Sequence, residues 1–195
     1  MKQQFNAAYW EHRYQLNQTG WDAGDVTTPL KEYFDQVTNM DIRILIPGSG
    51  NGYEAEYLFR QGFRHVFLVD VAEAPLQNFA KRVPGIPKEQ LLQQDFFSLK
   101  GKYDLIVEQT FFCAIDPAQR AEYAYQCAAL LHKGGKLMGL LFDTEFTQEG
   151  PPFGGNREEY ASYFKPYFHF LYFKTAYNSI QPRQERELFM LLQKI

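Results

Sequence analysis

The chain has 195 residues, a formal net charge of −3 at neutral pH and a sequence pI near 5.8, which fits one domain with a full core and argues against nucleic acid as the main partner, since no lysine- and arginine-rich stripe appears. Two cysteines, Cys113 and Cys127, are too few for a disulfide framework and point to a reducing, cytoplasmic setting. The first twenty residues, interrupted by Asn6, Glu11, His12 and Arg13, have neither a signal-peptide nor an anchor pattern, and no apolar run reaches spanning length, so no membrane partner is expected. Monomer and dimer both stay open.

In chain order, residues 5–17 read as an amphipathic opening helix and Gly20-Trp21-Asp22-Ala23-Gly24 as a loop. A short helix follows Thr28-Pro29, with Thr28 as N-cap and Pro29 in the first helical position. Residues 42–47 form an apolar strand, 53–61 a helix stopped by Gly62, and 65–70 a second strand. A helix over 73–82, a loop at 84–87 and a short strand over 91–94 come next. The unbroken apolar run 103–108 suits a central buried parallel strand. Asp116-Pro117-Ala118-Gln119 has the form of a capping box and opens a helix to about Leu131, and Gly134-Gly135 turns into a strand over 136–142. Residues 143–156, rich in Gly, Pro, Thr and Glu, form a loop at the sheet's carboxyl edge, followed by a helix at 157–165 and two strands, 168–176 and 186–193, whose short link makes them antiparallel. The alternation predicts an α/β doubly wound sheet of seven mostly parallel strands, helices on both faces and an antiparallel terminal hairpin. The whole of 1–195 is one domain, with 1–40 as a helical cover and 143–166 as a loop and helix over a second ligand.

The motif that carries most chemistry is Ile46-Pro47-Gly48-Ser49-Gly50-Asn51-Gly52. Glycines at alternate positions after a strand let the backbone turn sharply and approach a ligand where a Cβ would collide. Twenty residues after Gly50, Asp70 ends the second strand, where a carboxylate can accept both hydroxyl protons of a ribose. The spacing is G-x-G-x-G, and Tyr53 and Glu54 follow, so the third small residue that a pyrophosphate needs at the helix start is missing. S-adenosyl-L-methionine has no phosphate and tolerates bulk there.

Asp70, Asp95 and Glu108 close three consecutive strands, which places Asp70 on the ribose, Asp95 and the Phe96 amide on the adenine, and Glu108 or the Glu108-Gln109 backbone on the methionine ammonium. Trp10 and Tyr14 stand four apart on one helix face, and Trp21 follows in the next loop. Aromatic faces hold a sulfonium, a cation with no hydrogen to donate, at about 0.5–2 kcal/mol per contact. His12, His65, His132 and His169 lack ligand spacing, so no metal is expected, and Gly48-Ser49-Gly50 lacks the G-x-S-x-G frame of a hydrolase. Cys113 has no histidine near it in sequence and reads as a wall thiol.

Together, Trp10, Tyr14, Trp21-Asp22, Thr28-Pro29-Leu30, the glycine turn, Val69-Asp70-Val71, Tyr103-Asp104-Leu105-Ile106, Phe111-Phe112-Cys113-Ala114-Ile115 and Gly150-Pro151-Pro152-Phe153 resemble the thiopurine S-methyltransferase superfamily, and within it the plant and bacterial thiol, thiocyanate and halide methyltransferases. The resemblance runs from about residue 9 to the end. It implies a Rossmann-like class I methyltransferase fold, S-adenosyl-L-methionine as cofactor with S-adenosyl-L-homocysteine as product, and cofactor contacts at Trp10, Tyr14, Trp21, Gly48, Asp70, Asp95, Phe96 and Gln109. Gly50 and Glu108 join that set from the reading of the turn and the strand ends. Tyr14 stands where the family often has tryptophan, Glu108 where it often has aspartate, and Gln109 where an aromatic occurs; the last two lie near the reacting methyl and leave the acceptor open.

The expected reaction is methyl transfer to a small soft nucleophile, a thiol, bisulfide, thiocyanate or halide, by direct in-line displacement. An anionic acceptor needs no general base. Phe111, Phe112 and Cys113 with the 144–157 loop form the expected acceptor pocket, Phe153 its lid and Arg157 its anion-attracting group. The alternatives are methyl transfer to oxygen or nitrogen of a larger metabolite, an NAD(P)-dependent oxidoreductase, and cofactor binding without catalysis.

Overall fold

The computed structural model describes residues 5–195. Its centre is a seven-stranded sheet in the order β3-β2-β1-β4-β5-β7-β6, built from β1 (Arg43–Pro47), β2 (His65–Asp70), β3 (Leu91–Gln93), β4 (Tyr103–Gln109), β5 (Leu131–Phe142), β6 (Phe168–Thr175) and β7 (Glu187–Lys194). The first five strands run parallel, and β7 lies antiparallel between β5 and β6. Strand side chains alternate between faces. Ile44 and Ile46 therefore meet α2 (Thr28–Phe34), α3 (Tyr53–Arg60) and α4 (Glu73–Arg82) through Leu30, Phe34, Leu58 and Phe79. Leu45 and Ile106 face α5 (Arg120–Leu130) and α6 (Arg157–Phe164) through Tyr123, Cys127, Tyr160 and Phe164. Each such fully buried apolar side chain contributes about 1.5–3 kcal/mol.

The opening helix α1 (Ala7–Gln15) begins at Asn6, whose side chain accepts from the Tyr9 amide at 3.1 Å, and ends before Asn17 in the left-handed region at φ 53°. It lies against α4, where Glu11 Oε2 accepts from the Glu73 and Ala74 amides at 2.9 and 3.1 Å. That carboxylate takes two of the unpaired donors at a positive helix end.

Three local expectations shift. The N-cap of α2 is Thr27, not Thr28; Thr27 is buried and its hydroxyl donates to Gln109 Oε1 at 3.2 Å, so it joins the helix to β4. Asp116 does cap, accepting from the Ala118 amide at 2.9 Å, but Pro117–Gln119 close a 3₁₀ turn and α5 starts only at Arg120. Gly134 and Gly135 lie inside β5: pairing jumps from Tyr103↔Leu131 to Leu105↔Lys136, and the extra residues bulge out at Gly134, φ 76°.

Among the described residues no helix is long and apolar enough to cross a membrane, and no group of three or more His, Cys, Asp and Glu side chains is placed to hold a metal ion.

Candidate functional site

A cavity of about 450 Å³ runs along the carboxyl edge of the sheet, the edge where open α/β sheets bind ligands. Its floor is the turn after β1. Gly48 sits at φ 54°, and a Cβ there would run into the Phe111 ring. Gly50, at φ 52°, lies just behind: its amide donates to Asp70 Oδ2 at 3.1 Å, and a Cβ would stand 3.1 Å from the Tyr14 hydroxyl. Both positions favour glycine for backbone conformation, and Gly48 for space as well.

Asp70 lines the cavity and also accepts from the Ala72 amide at 2.9 Å, so its carboxylate is fixed in orientation. Burial pushes its pKa up to about 6, against the pull of the Ala72, Gly50 and Val71 amides. Asp95, after β3, lines the same wall and accepts from the Phe97 amide at 3.0 Å; Phe96 beside it is buried with its ring against Phe111 at 5.4 Å.

Opposite this floor stands the aromatic cluster of the opening segment. Trp21 meets Trp10 at 5.5 Å and Tyr14 at 5.7 Å, both edge to face. All three line the cavity. Burial first, then the Asp70 charge, raises the Tyr14 pKa far above the usual phenol range, so its hydroxyl stays neutral. Arg13 lies 5.4 Å over the Trp21 ring and donates to the Gln18 carbonyl at 3.0 Å, which steadies the cover. Residues 1–4 of the expected 1–40 cover lie outside the described residues. Within the rest, α1 and the Trp21 loop reach the cavity, whereas α2 packs into the core against α3.

Beyond Phe111 the wall turns apolar, with Cys113, Phe142, Phe146, Pro151 and Pro152, and two arginines, Arg183 and Arg186, enter from the β6–β7 link. Arg183 is buried, donating to the Trp21 carbonyl at 2.7 Å and to Glu187 Oε1 at 3.4 Å. Cys113 donates to the Thr110 carbonyl at 3.2 Å, and burial drives its thiol pKa far up, which leaves it unreactive.

Trp10, Tyr14, Trp21, Gly48, Asp70, Asp95, Phe96, Phe111 and Cys113 thus come together on one cavity. Six expected residues do not line it. Glu108 is fully buried, and its side chain turns into the core: Oε1 accepts from the Phe111 and Phe112 amides, both at 2.8 Å, and Oε2 from the Tyr123 hydroxyl at 2.5 Å. Burial raises its pKa to about 7 against those three donors. Gln109 meets Thr27 instead, with its Nε2 buried and unpaired. Phe112, beside Phe111 in the turn after β4, packs against Tyr123, Tyr160 and Phe164. Phe153 is not a free lid: its amide donates to the Cys113 carbonyl at 2.7 Å, its own carbonyl accepts from Arg120, and its ring stands behind Phe5 at 5.5 Å. Arg157 starts α6, where its amide donates to Asp143 at 3.1 Å and its guanidinium to Thr175 at 3.3 Å. Gly50 stands behind the turn, as above.

Cavity walls of carboxylate, ring and bare glycine backbone suit a nucleoside carrying a cationic sulfur, and fold and site together define a methyltransferase of the S-adenosyl-L-methionine-dependent class. A family profile described as thiopurine S-methyltransferase matches residues 5–191, and the chain belongs to that family. It is 30% identical over 162 residues to a probable thiol methyltransferase 2 of Arabidopsis thaliana, an alignment covering 80% of this chain and 71% of that protein. It is 29% identical over 150 residues to thiocyanate methyltransferase 1 of Brassica oleracea, covering 74% of this chain and 66% of the relative. Among solved structures, magnesium protoporphyrin IX methyltransferase of Synechocystis with bound S-adenosylhomocysteine superposes at a TM-score of 0.75 over 97% of each chain, at 13% identity, which shares the fold. Membership sets aside the nicotinamide alternative.

Proposed function

We propose that the protein transfers the methyl group of S-adenosyl-L-methionine to a small, soft nucleophile: a thiol, bisulfide, thiocyanate or halide. The observation that carries this is the composition of the cavity beyond Phe111, where aromatic and proline walls enclose the buried cation of Arg183. A volume of about 450 Å³ lies within the roughly 300–1,000 Å³ of ligand clefts. The names of the thiol and thiocyanate relatives point the same way.

Asp70 accepts the ribose hydroxyl protons, Gly48 lets the backbone approach, Asp95 and Phe96 border the base, and Trp10, Tyr14 and Trp21 offer ring faces to the sulfonium. Bound there, the cofactor supplies a methyl group already activated for attack. Phe111 and the proline walls exclude water and align the acceptor. Arg183, held by Glu187 and the Trp21 carbonyl, closes the wall at the acceptor end. An anionic acceptor arrives ionised and needs no base, whereas a neutral thiol releases its proton to solvent. Gln109 and Glu108 act behind the cavity, the first on Thr27 and the second on the Phe111 turn. The free, buried thiols of Cys113 and Cys127 and the negative net charge fit a cytoplasmic enzyme of small molecules rather than of nucleic acid or membrane.

Headspace analysis after mixing protein and S-adenosyl-L-methionine with iodide, thiocyanate or bisulfide, with aromatic thiols in parallel, tests the reading. Volatile methylated products are expected. Reaction of only an oxygen or nitrogen acceptor, or tight binding of S-adenosyl-L-homocysteine with no turnover of any soft nucleophile, would overturn it.

A further inference from the structure

Arg183 and Arg186 enter the cavity from the same link, yet only one is neutralised. Arg183 faces the Glu187 carboxylate and the charge of the buried Glu54. Arg186 is exposed at the cavity mouth, its Cζ 5.2 Å from the centre of the Phe146 ring, and that ring is braced edge-on against Phe142 at 5.1 Å. Among the described residues no carboxylate pairs with the Arg186 guanidinium and no acceptor takes its hydrogen bonds.

The backbone beneath it is nonetheless fixed. Its amide donates to the Arg183 carbonyl at 3.1 Å, and its carbonyl accepts from the Asp143 amide at 2.8 Å. Glu185 before it takes φ 62°, a left-handed conformation uncommon for a residue with a side chain. A planar cation lying on a ring, with a pinned main chain and five free donors, is prepared for a planar anion. Other charged groups of the cavity reinforce the direction. Arg13, on the cover, is engaged by the Gln18 carbonyl and the Trp21 ring, whereas Asp70 at the end of β2 and Asp95 and Asp116 after β3 and β4 repel an anion from that side, so one is drawn to the β5–β7 side.

We propose that Arg186 forms a second subsite at the acceptor end, which takes a carboxylate carried by the acceptor, so that the preferred substrates are small thiols bearing an acid group. The proposal rests on the methyl-transfer reading above. In the step itself the thiol sulfur bonds to the methyl carbon, the bond from that carbon to the leaving sulfur breaks with its electron pair staying on the leaving sulfur, and the thiol proton goes to solvent. The carboxylate is held and takes no part.

The test compares 3-mercaptopropionate with 2-mercaptoethanol, which share the thiol and differ in the charged group. The expected result is a preference for the carboxylate of about tenfold in kcat/KM, expressed in KM, the size of one charge-assisted hydrogen-bonded contact at a partly exposed site. Arg186→Gln collapses that ratio toward one, and Arg186→Lys restores only part of it, since an ammonium lacks the fork. Calorimetry supplies a second readout: 3-(methylthio)propionate binds the protein loaded with S-adenosyl-L-homocysteine about tenfold more weakly in Arg186→Gln. No preference in the wild type, or an equal fall with both thiols, would overturn the subsite. Absence of methyl transfer to every acceptor would instead overturn the assigned reaction, and the calorimetry would still decide the subsite.

Discussion

Glu108 is the residue where two roles can be separated by one pair of variants. Its carboxylate receives the Phe111 amide, the Phe112 amide and the Tyr123 hydroxyl, at 2.8, 2.8 and 2.5 Å. These bonds hold the turn after β4, in which Thr110 sits at φ 60° and Phe111 is set against Gly48. Glu108→Ala leaves three donors unpaired at about 1–3 kcal/mol each, partly offset by removing a desolvated carboxylate, for a net loss of about 3–4 kcal/mol. At roughly 2–4 °C per kcal/mol for a chain of this size, the midpoint of thermal unfolding falls by about 10 °C. Glu108→Gln keeps an oxygen for both amides and loses only the bond from Tyr123, about 1–2 kcal/mol and a fall of about 5 °C. Unfolding followed by near-ultraviolet circular dichroism, with calorimetry of S-adenosyl-L-homocysteine in parallel, reads both quantities, and affinity is expected to fall together with stability. If instead both variants melt within about 2 °C of the wild type and lose affinity equally, the carboxylate touches the cofactor and the anchoring role is wrong.

Gly48→Ala puts a Cβ into the Phe111 ring at a left-handed backbone position, so a loss of about 2–4 kcal/mol in stability and at least tenfold in S-adenosyl-L-homocysteine affinity is expected by calorimetry. In the proposed cofactor site Asp70 can offer both oxygens as acceptors to the ribose hydroxyls only when ionised, and its pKa is raised to about 6 by burial, so affinity falls as pH drops through about 6; a wild-type profile flat from about pH 8 to 5 would contradict this, and Asp70→Asn removes the slope along with most of the affinity. Glu11→Gln weakens the clasp on the α4 amides by about 0.5–1 kcal/mol, read as faster hydrogen exchange over α1 and two- to fivefold weaker cofactor binding.

The sheet and its ligand edge were legible because the chain states them locally. Apolar runs, the glycine turn and Asp70 all lie within single segments, and an acid at a strand end stays at that end whatever the sheet order. Orientation was not legible. β4 is buried on both faces, so its sequence carries no polar alternation to show that Glu108 points inward, and Phe111 and Phe112 lie in the turn after it, where no strand periodicity says which of them lines the cavity. Arg157 reads as the anion-attracting group because it follows the 143–156 loop at the sheet's carboxyl edge. The needed signal was already present: an antiparallel β7 begins at the carboxyl edge, which carries the β6–β7 link, with Arg183 and Arg186, to the same place. Arg120 is hidden in the sequence for another reason. Buried at the first position of α5, it holds the Phe153 and Gly154 carbonyls at 3.3 and 2.8 Å and Glu159 at 2.8 Å, contacts more than thirty residues away in sequence.

The layout of the cavity also bears on rate. When an anion attacks a methyl group on a cationic sulfur, opposite charges disappear as the new bond forms, and the transition state is less charged than the separated reactants. Water stabilises those reactants and slows the step. Walls made of Phe111, Phe142, Phe146, Pro151 and Pro152 withdraw that stabilisation. A neutral thiol gains nothing from charge cancellation, since it starts uncharged. Acceleration over the reaction in water is therefore greatest for acceptors already ionised, and among thiols it grows with the thiolate fraction, so the rate with a simple thiol climbs with pH toward the thiol's own pKa of about 8.5 while the rate with iodide stays level.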